Sequence, residues 1–107
     1  MTLLKILLAS TSPRRRELIG WAGWPHRITS VEVDETPRPA EDPAEYVLRL
    51  ARIKALAAAT RAEPGEIVLA ADTTVADGGQ ILGKPRDAAE AESMLRQLRN
   101  RTHQVLT

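Results

Sequence analysis

Three helix starts divide this chain, and their order constrains the fold more than any other feature. Ser12-Pro13, Asp42-Pro43 and Asp87-Ala88 each set a short polar side chain before a run of helix formers. Such a side chain accepts a hydrogen bond from the free N–H groups of the first turn, and a proline at the first helical position has no N–H to lose. Behind Asp42 and Asp87 stand Glu45 and Glu90, which complete a capping-box pattern. The spacing predicts helices from Pro13 to about Trp21, from Pro43 through YVLRLARIKALAAAT, and onward from Asp87 to about Leu98. Between them lie strand-like segments. Leu3–Ala9 is an apolar run with one lysine, suited to a strand buried on both faces. His26–Val33 has β-branched residues and partial alternation, Glu66–Ala76 reads as one buried strand, and Asp77-Gly78-Gly79 is a tight turn into Gln80–Leu82. THQVLT begins a last strand that nothing stops before Thr107. Strand, helix, strand, helix, strand, strand, helix, strand is an α/β order.

In the second helix Val47, Leu50, Ala51 and Leu56 should form the apolar face, with Arg49 and Arg52 outward. Lys54 falls toward the apolar face, an awkward place for an ammonium without an anion. The segment before this helix, DETPRPAEDPAE, is acidic and proline-rich and must start as a loop.

A chain of 107 residues suits one small domain, and 43% hydrophobic with 27% charged residues is ordinary for a globular protein. With a net charge of only +1, attraction for anions must be local, and no general nucleic-acid binding is expected. The chain has no cysteine, so neither a disulfide framework nor a thiol nucleophile is available. LLKILLAS is too short to span a membrane and lacks a signal-peptide layout, so a cytoplasmic protein is expected.

The first helix breaks a rule that the other two obey. Arg14, Arg15 and Arg16 fill its first turn, where cations are unfavourable by roughly 0.3–1 kcal/mol each at exposed sites. A strand running into a helix N-terminus is also the geometry of an anion pocket, and arginines add bidentate phosphate donors. The competing reading is a solvated basic face; of the three, Arg16 is the one expected to be merely solvated. Asp72, in IVLAADTTV, is a carboxylate in an apolar run, costly to bury unless it is paired, metal-bound or used as a base. It could equally cap a neighbouring turn. The adjacent acids Asp34 and Glu35, and Lys84 between Gly83 and Pro85, are each ambiguous alone. Together these residues suggest cations for phosphates and acids for a divalent cation. His26 and His103 read as structural, and Trp21 and Trp24 as packing residues. No GxxxxGK[ST] loop is present, which argues against a Walker-type triphosphatase. Aromatic platforms interleaved with basic residues are lacking too, as they are not in single-strand nucleic-acid binders.

LLASTSPRRRELI, VDETP, EYVLRLARIKA, VLAADTTV and ILGKPRDAAEAESMLRQLRNRTHQV resemble, in order and spacing, the Maf family of nucleoside triphosphate pyrophosphatases. The resemblance implies an α/β fold of the Maf and inosine-triphosphatase kind, a central mixed sheet flanked by helices. It implies a homodimer that cleaves nucleoside triphosphates to the monophosphate and pyrophosphate with a divalent metal (Mg, Mn or Co). It also implies a connection with modified nucleotides and with septum formation and the arrest of cell division. Carried onto this sequence, the family's proton acceptor matches Asp72, its phosphate-contacting residues Ser10, Arg14 and Arg15, its acid Glu35, and its lysines Lys54 and Lys84. Glu35 and Asp72 are the implied metal-holding acids. Arg14 and Thr73 match positions tied to base choice and look like the dTTP/UTP-cleaving branch. The alternatives are 7-methyl-GTP or inosine and xanthosine triphosphate as substrate, or an inactive nucleotide-binding module. Family members are about twice as long, with a further KAGAY-IQG-like segment, so residues 1–107 are expected to be the N-terminal portion of a single domain.

Overall fold

The computed structural model describes residues 4–107; Leu3, at the head of the expected first strand, lies outside the described residues. Six strands and three helices follow in the order β1 (Lys5–Ala9), α1 (Pro13–Trp21), β2 (His26–Thr29), α2 (Pro43–Ala59), β3 (Glu66–Ala70), β4 (Thr74–Asp77), β5 (Gln80–Leu82), α3 (Ala88–Leu98) and β6 (Gln104–Leu106). Parallel and antiparallel pairing both occur, divided between two three-stranded sheets. One is parallel, ordered β2-β1-β3, and the other antiparallel, ordered β5-β4-β6.

β1 is the centre of the parallel sheet, and Ile6 through Ala9 are buried on both faces, as its apolar run requires. Ile6 and Leu8 pack with Ile19 of α1, while Ala9 packs with Val31 and with Ala58 of α2. α2 joins the two sheets. Its first half places Tyr46, Val47 and Leu50 against Ile81 and Leu106 of the antiparallel sheet, and its last turn places Ala57 and Ala58 against Val68 and Ala70 of β3. Leu50 is among the most completely buried side chains, and burying a leucine contributes about 1.5–3 kcal/mol.

All three caps form. Ser12 accepts from the Arg15 N–H, Asp42 from those of Ala44 and Glu45, and Asp87 from that of Glu90. The β4–β5 turn holds Gly78 and Gly79 at φ of 56° and 85°, a left-handed pair that glycines adopt without steric cost.

Several expectations are corrected. Glu66–Ala76 is two strands: the chain leaves the parallel sheet after Ala70 and enters the antiparallel one at Thr74. The crossing, Ala71-Asp72-Thr73, holds no glycine or proline, so no turn signal marks the break, although Asp72 and Thr73 interrupt the apolar run. β2 ends at Thr29 and does not reach Val33. Leu56 is 72% exposed, and Trp21 and Trp24 are more than half exposed rather than packed. Arg49 does not point into solvent but into an ion pair with Glu41, 2.8 Å away.

Candidate active site

The site grows from the carboxyl ends of two neighbouring parallel strands. Ala9 and Ala70 are in register on β1 and β3, so the residues that follow them, Ser10 and Ala71-Asp72-Thr73, emerge side by side. The N-terminus of α1 opens at the same edge. Crevices outside the carboxyl ends of parallel strands are where open α/β sheets bind ligands. Here the crevice is a cleft of about 690 Å³. Every residue to which the family resemblance assigns a role lines it: Ser10, Arg14, Arg15, Glu35, Lys54, Asp72, Thr73 and Lys84; Asp34 does not.

At its floor three charged side chains converge. Lys54 Nζ lies 2.7 Å from Asp72 Oδ1 and 3.0 Å from Glu35 Oε1. The Lys54 and Asp72 side chains are only 14% and 11% exposed, and Glu35 is more open. Burial opposes the Lys54 charge, but the hydrogen bonds and charges of Asp72 and Glu35 outweigh it and hold its pKa above the ordinary lysine value. The awkward lysine of α2 therefore has its anions, and the buried aspartate its cation.

The three arginines of α1 take different tasks. Arg15 crosses to the β3–β4 break, where Nη2 donates to Thr73 Oγ1 at 2.6 Å and Nη1 to the Ala71 carbonyl at 3.4 Å. Thr73 Oγ1 also lies 2.9 Å from Thr107 Oγ1. Arg14 is exposed and lies along its own helix, 3.5 Å from Glu17 and over the Trp21 ring at 5.2 Å. Arg16, expected to be solvated, is a strut: Nε and Nη2 donate to the Ser10 carbonyl and Nη2 donates also to Ser30 Oγ. Its contacts depend on where β2 ends, which helix periodicity could not reveal. Ser10 is buried, and its hydroxyl accepts from the Ser12 N–H at 3.0 Å, shaping the turn into α1. Lys84, on the exposed loop after β5, adds a cation to the cleft wall.

Two residues beside the floor escaped the sequence reading. Tyr46 Oη donates to the Glu35 carbonyl at 2.6 Å, and Arg49 Nη2 to the Thr36 carbonyl at 3.2 Å. Arg49 also makes a two-pronged pair with Glu41, which holds the Glu41 carboxyl down at about 2. The signal for Tyr46 was the stripe Tyr46, Leu50, Lys54 at i, i+4, i+8, which places it two turns before the lysine on one face of α2; no such pattern marks Arg49.

Among the described residues, no group of three His, Asp or Glu side chains forms a metal cage, and no helix is long and apolar enough to cross a membrane. Residues 5–107 match the Maf-like protein family. The chain is 53% identical over 103 residues to the dTTP/UTP pyrophosphatase of Anaeromyxobacter dehalogenans (strain 2CP-C), covering 96% of this chain and 50% of that protein. It is 53% identical over 102 residues to that of Myxococcus xanthus (strain DK1622), covering 95% and 52%. With that of Methylococcus capsulatus (strain Bath) the identity is 50% over 104 residues, covering 97% and 52%. The chain spans about half the length of these curated relatives. A match along nearly its whole length means that this chain belongs to the Maf-like protein family.

Proposed function

We propose that the cleft binds a nucleoside triphosphate and that the protein hydrolyses dTTP or UTP to the monophosphate and pyrophosphate. The observation that carries this reading is the convergence of Lys54, Asp72 and Glu35 at the floor of a cleft whose rim holds Arg14, Arg15 and Lys84. The relatives' name, dTTP/UTP pyrophosphatase, supplies the substrate.

Asp72 takes a proton from the attacking water as that water's oxygen bonds to phosphorus. The bond to the oxygen bridging the α- and β-phosphates breaks, and pyrophosphate leaves with the electron pair. Arg15 and Lys84 neutralise the triphosphate and the departing pyrophosphate, and the α1 N-terminus adds free N–H groups. Lys54, hydrogen-bonded to Asp72, orients its carboxylate until substrate enters.

The donor set suits a hard divalent cation. Two carboxylates already face one cationic nitrogen, and magnesium is commonly held by one or two carboxylates together with substrate phosphates. Glu35 and Asp72 would hold it, and when bound it supplies charge neutralisation at the phosphates and a more acidic water.

We further infer a cytoplasmic location, with the nucleotide pool, and a homodimer, both resting on the family resemblance. A part in septum formation rests on the family resemblance alone. The test of the main reading is pyrophosphate release from a panel of dTTP, UTP, 7-methyl-GTP, ITP and XTP with Mg²⁺. Preference for dTTP and UTP supports it; preference for another nucleotide, or nucleotide binding without turnover, overturns it.

A further inference from the structure

We infer that Tyr46 and Arg49 are positioning residues that clamp the acidic loop 34–41 so that the Glu35 carboxylate faces the floor of the cleft. The inference rests on the proposed role of Glu35. A glutamate on a proline-flanked loop has no fixed direction of its own, and this one is partly exposed. Its main chain is nevertheless held. The Tyr46 hydroxyl donates to the Glu35 carbonyl, and Arg49 donates to the next carbonyl, that of Thr36. Below it, Asp34 Oδ1 accepts from the Thr36 N–H at 3.0 Å and closes a local turn.

The far end of the loop is tied to the same arginine. Glu41 accepts Arg49 Nε and Nη2 at 2.8 Å each, and also the Arg38 N–H at 3.0 Å. A single guanidinium thus spans the loop from Thr36 to Glu41. Arg49 in turn sits over the Tyr46 ring, 5.7 Å from its centre. Tyr46 is buried beside Val47 and Leu50, so the clamp is anchored in the core of α2, the helix that also presents Lys54. One rigid element therefore holds Glu35 twice: by its main chain at Tyr46 and by its side chain at Lys54. Outer partners of metal-holding carboxylates commonly tune affinity by about 10–100-fold.

Tyr46→Phe removes one hydroxyl and keeps the buried ring, so the fold is retained. The measurement is Mn²⁺ alone titrated into wild type, Tyr46→Phe, Glu35→Gln and the double variant, with free Mn²⁺ read by electron paramagnetic resonance. The mid-point Mg²⁺ concentration for turnover is measured in parallel. The clamp predicts that Tyr46→Phe weakens Mn²⁺ binding by roughly 10-fold, and that it adds nothing on the Glu35→Gln background. Arg49→Lys, which keeps the charge but not the fork, should fall between wild type and Arg49→Ala. If Glu35→Gln weakens Mn²⁺ binding while Tyr46→Phe does not, or if the two effects simply add, the clamp is overturned. If Glu35→Gln leaves Mn²⁺ binding unchanged, the role of Glu35 itself falls, and the clamp with it.

Discussion

Lys54 and Asp72, eighteen positions apart in the chain, meet at 2.7 Å where the chain crosses from the parallel to the antiparallel sheet. The lysine comes from the helix that joins the sheets and the aspartate from the break between them, so this contact ties the floor of the cleft to the architecture. Lys54→Met leaves Asp72 without its cation in a largely closed place. The expected outcome is a loss of stability of roughly 1–3 kcal/mol in urea unfolding, together with a large fall in turnover. Asp72→Asn still offers Lys54 an acceptor and should be less destabilising.

The arginines of α1 should separate into two phenotypes. Arg15→Ala removes a guanidinium at the cleft and should raise KM for the nucleotide by about 10–100-fold, the range of a charge-assisted hydrogen bond, and also cost about 1 kcal/mol of stability through its lost bonds to Thr73 and Ala71. Arg16→Ala should cost a similar amount of stability, about 1 kcal/mol through lost contacts to Ser10 and Ser30, but leave KM near wild type. Steady-state kinetics and urea unfolding on both variants check this pair of outcomes.

That contrast shows what the sequence could and could not reveal. Short-range signals were legible: the three caps, the glycine turn and the doubly buried β1 follow from local chemistry, and Asp72 and Lys54 stood out because each broke a local rule, whereas Ser10 was marked by the family resemblance. Long-range placement was not. Arg15 and Arg16 are adjacent and identical in type; only the positions of Thr73 and Ser30, set by strand pairing, send one to the cleft and the other to a strut. The break at Ala71–Thr73 was hidden because it holds no glycine or proline and the apolar residues on either side suit both sheets. Arg49 read as solvent-facing because its acceptor, Glu41, is on a loop whose path no periodicity describes.

Acid should unfold the protein through two carboxylates outside the cleft. Glu41, facing Arg49 and Arg38, and Glu66, facing Arg27 and Lys5, are both held at about 2, below the ordinary value of 4.5. Their folded pKa values are depressed, so the stability they contribute is present above pH 4.5 and drains away as pH falls toward 2. Thermal unfolding followed across that window should show a steep decline, flattened in the Glu41→Gln/Glu66→Gln double variant.

On the proposed reading, Asp72 drives cleavage between the α- and β-phosphates in this cleft. The most direct measurement incubates wild type and Asp72→Asn with dTTP and Mg²⁺ and resolves the products by phosphorus NMR. Wild type should yield dTMP and pyrophosphate in equal amounts, with the rate cut roughly 10²–10⁴-fold in Asp72→Asn. Release of dTDP and phosphate, or an Asp72→Asn rate within a few-fold of wild type, would contradict it.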